Sequence, residues 1–161
     1  MLVSLRPIDP KDLEVVSQIL LDETIRKTYM VPDLTHDAAI ALASRFAALS
    51  RDENRYVRGI YTEDTLVGWL NDTEISGNSI ELGWVIHPLH QNNGYATAAV
   101  KTAIDDLFQK GFRKVIAGAF EDNLSSQRVM EKVGMTLQEQ SENIEYRGKI
   151  HHCIFYAIEN K

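Results

Sequence analysis

One strand–loop–helix segment, residues 81–108, constrains the fold of this chain more than any other stretch. Apolar residues from Ile80 to Ile86 predict a strand, which stops at His87-Pro88 because proline cannot donate to a strand ladder. Beyond a short polar loop, apolar residues recur at three- and four-residue steps as far as Phe108, which predicts a helix. The first amides of a helix lack intrahelical partners and the helix dipole adds positive charge there, so this arrangement favours binding of a phosphate group.

The loop itself, Gln91-Asn92-Asn93-Gly94-Tyr95-Ala96, supplies the small residues that such a site needs. Gly94 and Ala96 have little or no side chain, so a diphosphate can approach the backbone closely. The residues alone therefore predict that this segment binds a diphosphate-bearing cofactor. The alternative is an ordinary helix start in which glycine eases a turn.

The size and charge of the chain exclude several classes of protein. Its 161 residues predict a single domain over 1–161. A net charge of −6 without a basic run argues against nucleic acid or a membrane as partner. No apolar run approaches the roughly 20 residues of a membrane span, and the N-terminal sequence lacks a signal-peptide pattern, so we expect a cytoplasmic location. Cys153 is the only cysteine, which excludes an internal disulfide and Cys-rich metal sites.

The remaining patterns predict a mixed α/β fold in the order β-α-α-β-β-β-α-β-α-β-β, with the central sheet covered by helices. Because β-helix-β crossovers are right-handed, the strands on either side of the long helix should be parallel neighbours or near neighbours. Turn and cap residues set the element ends. We predict strands at 2–6, 55–62, 66–75, 79–86, 114–120, 135–146 and 150–158. We predict one helix that begins at Asp9-Pro10, one at 36–50 after Thr35, one from 96 to a stop at Gly111 and one from Asn123 to Val133. Turns are predicted at Glu63-Asp64, Gly77-Asn78 and Arg147-Gly148, and irregular structure at 22–34.

Two motifs, one in the loop before the long helix and one in the following helix, resemble in sequence and in order those of the GNAT superfamily of acyl-CoA-dependent N-acetyltransferases. The loop 91–96 matches the family's Gln/Arg-x-x-Gly-x-Gly/Ala signature, and residues 123–135 match its N-x-x-S-x-R-v-x-E-K-x-G-F segment. The tail, with Tyr146-Arg147-Gly148-Lys149, is similar to the closing hairpin of the RimJ/RimL-type branch, which includes acetylases of ribosomal-protein N-termini. Met135 and His152 depart from the residues usual in the family and in this branch.

The resemblance implies that acetyl-CoA is the co-substrate, without a metal, and that an acetyl group moves directly to a primary amine in a ternary complex. The loop amides would hold the diphosphate, and the strand before them would pair with the pantetheine arm like an added strand. His87 has a second interpretation, as a simple loop residue before proline. The predicted cofactor-binding residues are Val85, Ile86, His87, Gln91, Asn92, Asn93, Gly94, Tyr95, Ala96, Thr97, Asn123 and Ser126.

Direct transfer requires a base for the amine and a donor for the leaving sulfur. The family suggests Ser126, or a nearby tyrosine, as the donor to the sulfur. Helical spacing places Ser126 on the same face as Val129, Met130 and Val133. The alternative is a helix-start serine that bonds only to local backbone. Asn123 is predicted to cap this helix, with or without a further contact to the pantetheine or the acceptor.

Two carboxylates are candidates for the base. Glu81 lies on the central strand, where alternation places it on one face with Gly83 and Val85, and burial among apolar neighbours would raise its pKa toward neutrality. Glu145, just before the closing turn, is the competing candidate because carboxylates occur there in this branch. An acceptor amine of low pKa needs no dedicated base.

Other chemistry-bearing residues favour less specific roles. His151 and His152 are adjacent on a predicted strand, so they face opposite sides and cannot easily bind one metal.

The acceptor itself stays open between a protein N-terminus and a small-molecule amine such as a polyamine, an amino acid or an antibiotic. A non-catalytic acyl-CoA-binding sensor is a third interpretation. Small dimers are common in the superfamily, so a homodimer is compatible with the resemblance.

Overall fold

The computed structural model describes residues 2–161. Its helices and strands follow the order expected from the sequence, with one helix added. Short 3-10 helices at Pro10–Asp12 and Pro88–His90 accompany the main elements. The main elements are β1 Ser4–Arg6, α1 Leu13–Leu21, α2 Glu23–Arg26, α3 His36–Leu49, β2 Val57–Thr62, β3 Thr65–Ser76, β4 Ser79–Ile86, α4 Tyr95–Gln109, β5 Lys114–Phe120, α5 Leu124–Lys132, β6 Thr136–Tyr146 and β7 Lys149–Glu159. In the described part of the chain, no helix is both long and apolar enough to cross a bilayer.

The strands form one mixed seven-stranded sheet in the order β1-β2-β3-β4-β5-β7-β6. Strands β4 and β5 are parallel, with register from Ser79↔Lys114 to Leu82↔Ala117. The crossover rule therefore predicted the central pairing correctly. Strand β7 lies between β5 and β6 and pairs antiparallel with both, which places the closing hairpin beside β5.

The tight turns lie where the sequence predicts them. Glu63 has φ 54° between β2 and β3, and Gly77 has φ 58° between β3 and β4. Arg147 and Gly148, with φ 53° and 76°, join β6 to β7. These positive φ values explain why Gly77 and Gly148 occupy turn positions, since glycine adopts them without a Cβ penalty.

Segment 22–34, predicted to be irregular, contains the short helix α2. Asp22 caps it, its carboxylate accepting hydrogen bonds from the amides of Thr24 at 2.9 Å and Ile25 at 3.1 Å. Ile25 is buried, so the turn of helix is held by one apolar anchor and one cap. A four-residue helix is too short to show apolar periodicity, which is why the sequence pattern did not reveal it.

Contacts divide the chain into two compact units. The first unit comprises residues up to Asn71 together with Trp84–Ala99. Trp69 is fully buried there, 5.7 Å from the Tyr29 ring and 5.6 Å from the Phe46 ring, centroid to centroid. Its indole N–H donates to Tyr29 Oη at 3.0 Å, so a polar indole atom is satisfied inside the core.

The second unit comprises Asp72–Gly83 and Val100–Lys161. On one face of its sheet, Phe120, Cys153 and Phe155 form a buried cluster against which Ile144 and Tyr146 pack. The register pairs Glu81 with Ile116 and Glu142 with Cys153. Strand alternation therefore places both carboxylates on the face that holds this cluster, which we call the cluster face.

Candidate functional site

The end of β4 is held close to β3 in the first unit. The His87 amide donates to the Val67 carbonyl at 2.8 Å. A Cβ added to Gly68 would lie 2.0 Å from the Val85 carbonyl oxygen, so only glycine permits this approach. Val85 and Ile86 are buried at this point. The backbone at the end of β4, which is predicted to bind the pantetheine arm, is therefore held in place by the neighbouring strand β3.

His87 caps the 3-10 turn that leads into the loop. Its Nδ1 accepts a hydrogen bond from the Leu89 amide at 3.0 Å, which requires Nδ1 to be unprotonated. Burial lowers the pKa of His87, and nearby His90 lowers it further, while Asp22 opposes both effects. The ring is therefore neutral at pH 7 and acts here as a structural cap.

The loop amide side chains bond to the protein's own backbone. Gln91 Nε2 donates to the Ile86 carbonyl at 3.1 Å, and Asn93 Nδ2 donates to the carbonyls of His90 at 3.1 Å and Gln91 at 3.2 Å. Both residues belong to the predicted cofactor-binding set. In the structure the two side chains hold the loop in shape.

The backbone of the loop forms a suitable cradle for a diphosphate. Asn92 and Gly94 have φ 65° and 79°, a conformation that turns successive amides toward one side. Helix α4 starts at Tyr95, and its first turn contains Ala96 and Thr97. A Cβ on Gly94 would have Leu2, at 3.8 Å, as its nearest neighbour, so the space before the loop is open. Open space at this point and the dipole at the start of α4 fit an anionic group.

In the second unit, Glu81 is a half-buried carboxylate with one hydroxyl donor. Thr73 Oγ1 donates to Glu81 Oε2 at 2.5 Å. Burial raises the pKa of Glu81 and the Thr73 hydrogen bond opposes that rise, while Glu74 and Glu142 raise it further by charge repulsion. The predicted direction of the shift is thus present. Its cause is partly acidic neighbours, whereas the sequence pointed to apolar neighbours alone.

Glu145 is exposed on the other face of β6. Glu142, Ile144 and Tyr146 alternate onto the cluster face, so Glu145 lies on the opposite side from Glu142. Glu81 and Glu145 are therefore not brought together. Sequence reasoning missed Thr73 and Glu142, although alternation from the apolar residues Ile144 and Tyr146 indicates the face of Glu142.

Ser126 and Asn123 form a closed pair at the start of α5. Asn123 Oδ1 accepts from the Ser126 amide at 3.3 Å, and Asn123 Nδ2 donates to Ser126 Oγ at 3.1 Å. The predicted cap is confirmed, and Ser126 is half-buried on the face of the buried Met130. Because the serine oxygen already accepts a hydrogen bond, its proton is free to point to another acceptor.

The two neighbouring histidines of β7 face opposite sides, as alternation predicts. His151 stacks on Phe120 with ring centroids 4.3 Å apart, and its Nε2 lies 3.2 Å from the Tyr146 carbonyl. The His152 Nδ1 lies 3.0 Å from Asn143 Oδ1. Cys153 is buried, and burial together with Glu142 and Glu81 raises its pKa to about 11. Residues 2–161 contain no group of three or more His, Cys, Asp or Glu placed to hold a metal ion.

Comparison with known proteins agrees with this geometry. Residues 3–136 match the family model of the acetyltransferase (GNAT) domain. An uncharacterized N-acetyltransferase of Bacillus subtilis (strain 168), YnaD, is 28% identical over 141 residues, which is 81% of this chain and 77% of that protein.

Solved structures with the same fold have lower identity. A RimL ribosomal L7/L12 alpha-N-protein acetyltransferase in complex with coenzyme A superposes with TM-score 0.86 at 15% identity, covering 99% of this chain and 94% of that one. A spermidine N-acetyltransferase from Vibrio cholerae in complex with CoA and spermine superposes with TM-score 0.83 at 19% identity, covering 98% and 95%. At these identities the likeness shows the fold. With the family match over residues 3–136, the chain belongs to the GNAT acetyltransferases and is an acyl-CoA-dependent N-acetyltransferase that takes acetyl-CoA as co-substrate.

Proposed function

We propose that the protein, acting as one domain over 1–161, transfers an acetyl group directly from acetyl-CoA to a primary amine, with a protein N-terminus as acceptor. The environment of Glu81 is the observation that supports a catalytic role most strongly. Its carboxylate is half-buried, has a raised pKa and receives a hydrogen bond from Thr73. A base poised in this way accepts a proton more readily than an exposed glutamate does.

The end of β4 and the loop before α4 supply the cofactor contacts in this proposal. The amides of 91–96 and the first turn of α4 hold the diphosphate, and Thr97 lies in that turn. The backbone from Val85 to His87 binds the amides of the pantetheine arm. Gln91 and Asn93 contribute by holding the loop, since both side chains donate to loop and strand carbonyls.

Glu81 and Ser126 supply the proton handling in this proposal. Acetyl-CoA contributes a thioester whose carbonyl carbon is open to attack by an amine. Glu81 accepts the proton that the acceptor amine loses as its nitrogen bonds to that carbon. Ser126, whose oxygen is already occupied by Asn123, donates a hydrogen bond to the sulfur as the carbon–sulfur bond breaks. Glu145 is the weaker candidate for the base because it is exposed on the opposite face of β6 from Glu142.

A small cationic amine is a second candidate acceptor. Glu74 and Glu142 lie close enough to Glu81 to raise its pKa, so the surroundings of the proposed base are negative and attract a positively charged amine. Both kinds of acceptor occur among proteins of this fold, since the RimL enzyme acts on a ribosomal protein and the spermidine N-acetyltransferase acts on spermidine. The cytoplasmic location and a homodimer stay predictions from the sequence.

Thiol release from acetyl-CoA tests the proposal. A panel should contain N-terminal peptides, polyamines, amino acids and aminoglycosides, each assayed with wild type, Glu81→Gln and, as a matched control on an exposed carboxylate, Glu145→Gln. We expect turnover with at least one class, a fall of about 100-fold or more in kcat for Glu81→Gln, and near-normal kcat for Glu145→Gln. Tight binding of coenzyme A without turnover on any amine would favour the sensor interpretation, and the reverse ranking of the two variants would assign the base to Glu145.

A further inference from the structure

We propose that Thr73 is a positioning residue for Glu81, holding its carboxylate in one orientation in the deprotonated state. The inference rests on the proposed function for its catalytic meaning, but the contact itself lies within the second unit. Thr73 Oγ1 lies 2.5 Å from Glu81 Oε2 and 3.4 Å from the Glu81 carbonyl oxygen. The hydroxyl can donate only one proton, and the shorter contact goes to the carboxylate.

The geometry gives Thr73 two effects on the carboxylate. A hydrogen bond to one oxygen leaves Glu81 Oε1 as the oxygen free to receive a proton. The same bond stabilises the charged form, because a hydroxyl can donate to a carboxylate more strongly than to the neutral acid. Threonine suits this role because its branched side chain restricts χ1 on a strand, so the hydroxyl position is held by the backbone of β3.

Two acidic neighbours oppose the deprotonation of Glu81, which makes the Thr73 donor important. Glu74 on β3 and Glu142 on β6 each raise the pKa of Glu81, and burial acts in the same direction. Cys153 on β7 is a further titratable neighbour, and its own raised pKa keeps it neutral at pH 7. Without the Thr73 hydroxyl, burial, Glu74 and Glu142 would all favour the protonated acid, and the donor that opposes them would be gone.

The experiment compares Thr73→Val, which removes the hydroxyl and keeps the shape, with Thr73→Ser, which keeps the hydroxyl. Thr65→Val, an exposed threonine on the same strand, is the matched control. The first readout is a carbon-13 NMR titration of the Glu81 carboxyl, assigned with Glu81→Gln and recorded without substrate. We expect its midpoint to move upward in Thr73→Val, to stay near wild type in Thr73→Ser and Thr65→Val, and to move downward in Glu142→Gln.

The second readout is the pH dependence of kcat/KM on the best amine. We expect kcat/KM at pH 7 to fall about 10-fold or more in Thr73→Val, as for loss of a hydrogen bond to a charged group. The acidic limb should shift to higher pH in that variant, with Thr73→Ser restoring both. An unchanged Glu81 midpoint in Thr73→Val overturns the proposal, and so does a fall in kcat/KM with an unmoved limb. A moved midpoint together with full activity in Glu81→Gln would support the contact and refute the base assignment separately.

Discussion

Replacing Gly68 by alanine should displace the end of β4, because the added methyl group would meet backbone atoms of that strand. Gly68 is buried, and the new Cβ would lie 2.0 Å from the Val85 carbonyl oxygen and 3.0 Å from Ile86 Cα. Carbon and oxygen in contact stay about 3.3 Å apart, so the two backbones must separate by roughly 1.3 Å. Neither contact atom belongs to a side chain that could rotate away.

The cost can be approximated from the contacts that must change. Overpacking of this kind costs about 1–3 kcal/mol. The nearby hydrogen bond from the His87 amide to the Val67 carbonyl, now 2.8 Å, would lengthen and forfeit about 1 kcal/mol. A total of about 2–4 kcal/mol in the free energy of unfolding corresponds to a fall in Tm of roughly 5–15 °C for a chain of this length.

Thermal denaturation followed by circular dichroism measures this effect, and titration calorimetry with acetyl-CoA below Tm measures its consequence. We expect weaker acetyl-CoA binding as well, because the displaced backbone is that of Val85 and Ile86. Gly77→Ala is the control, since Gly77 has φ 58° but no atom within 4 Å of the added Cβ. It should cost only the backbone penalty of about 1–2 kcal/mol. A Tm for Gly68→Ala equal to that of Gly77→Ala would refute the close-approach argument.

Three further substitutions test other parts of the site. Gly94→Val strains a loop residue of φ 79° without a clash, so acetyl-CoA affinity should fall about 10-fold or more with a Tm change of only a few degrees, and unchanged affinity would contradict the diphosphate assignment. Ser126→Ala should lower kcat by roughly 10-fold or more while the acetyl-CoA Kd stays within about 2-fold; wild-type turnover would remove its donor role. His87→Asn keeps an acceptor for the Leu89 amide but cannot titrate. Because folding lowers the pKa of His87, wild type should lose stability relative to this variant as pH falls below the ordinary value of 6.5, and parallel curves from pH 7 to 5 would contradict the cap assignment.

Several elements were predictable from the sequence because their signals are local. Strands β4 and β5 have the predicted bounds, since each is a β-rich apolar run between turn or breaker residues. Thr35 and Asn123 cap α3 and α5 as predicted, because a cap depends only on the side chain and the next few amides. Helix α2 was missed because four residues are too few to show apolar periodicity, and because its anchor Ile25 is buried by residues elsewhere in the chain.

The site shows the same division between local and distant information. A helix start with Gly94 in the loop is a property of contiguous residues, and from it the sequence by itself predicts a diphosphate site. The roles of Gln91 and Asn93 were not predictable, because a side-chain amide can bond to a ligand or to a carbonyl with equal chemical ease. Which partner it meets depends on the path of the backbone.

The sequence by itself therefore determined the element order apart from α2, the parallel direction of β4 and β5 and the two family motifs, all of which follow from short-range patterns and crossover handedness. Only the tertiary structure decided that Thr73 donates to Glu81 and that Glu142 lies close enough to raise the pKa of Glu81. Strand register across neighbouring β-strands sets those contacts. A shift of one residue would turn each of these side chains to the other face, and nothing local to any one strand specifies that alignment.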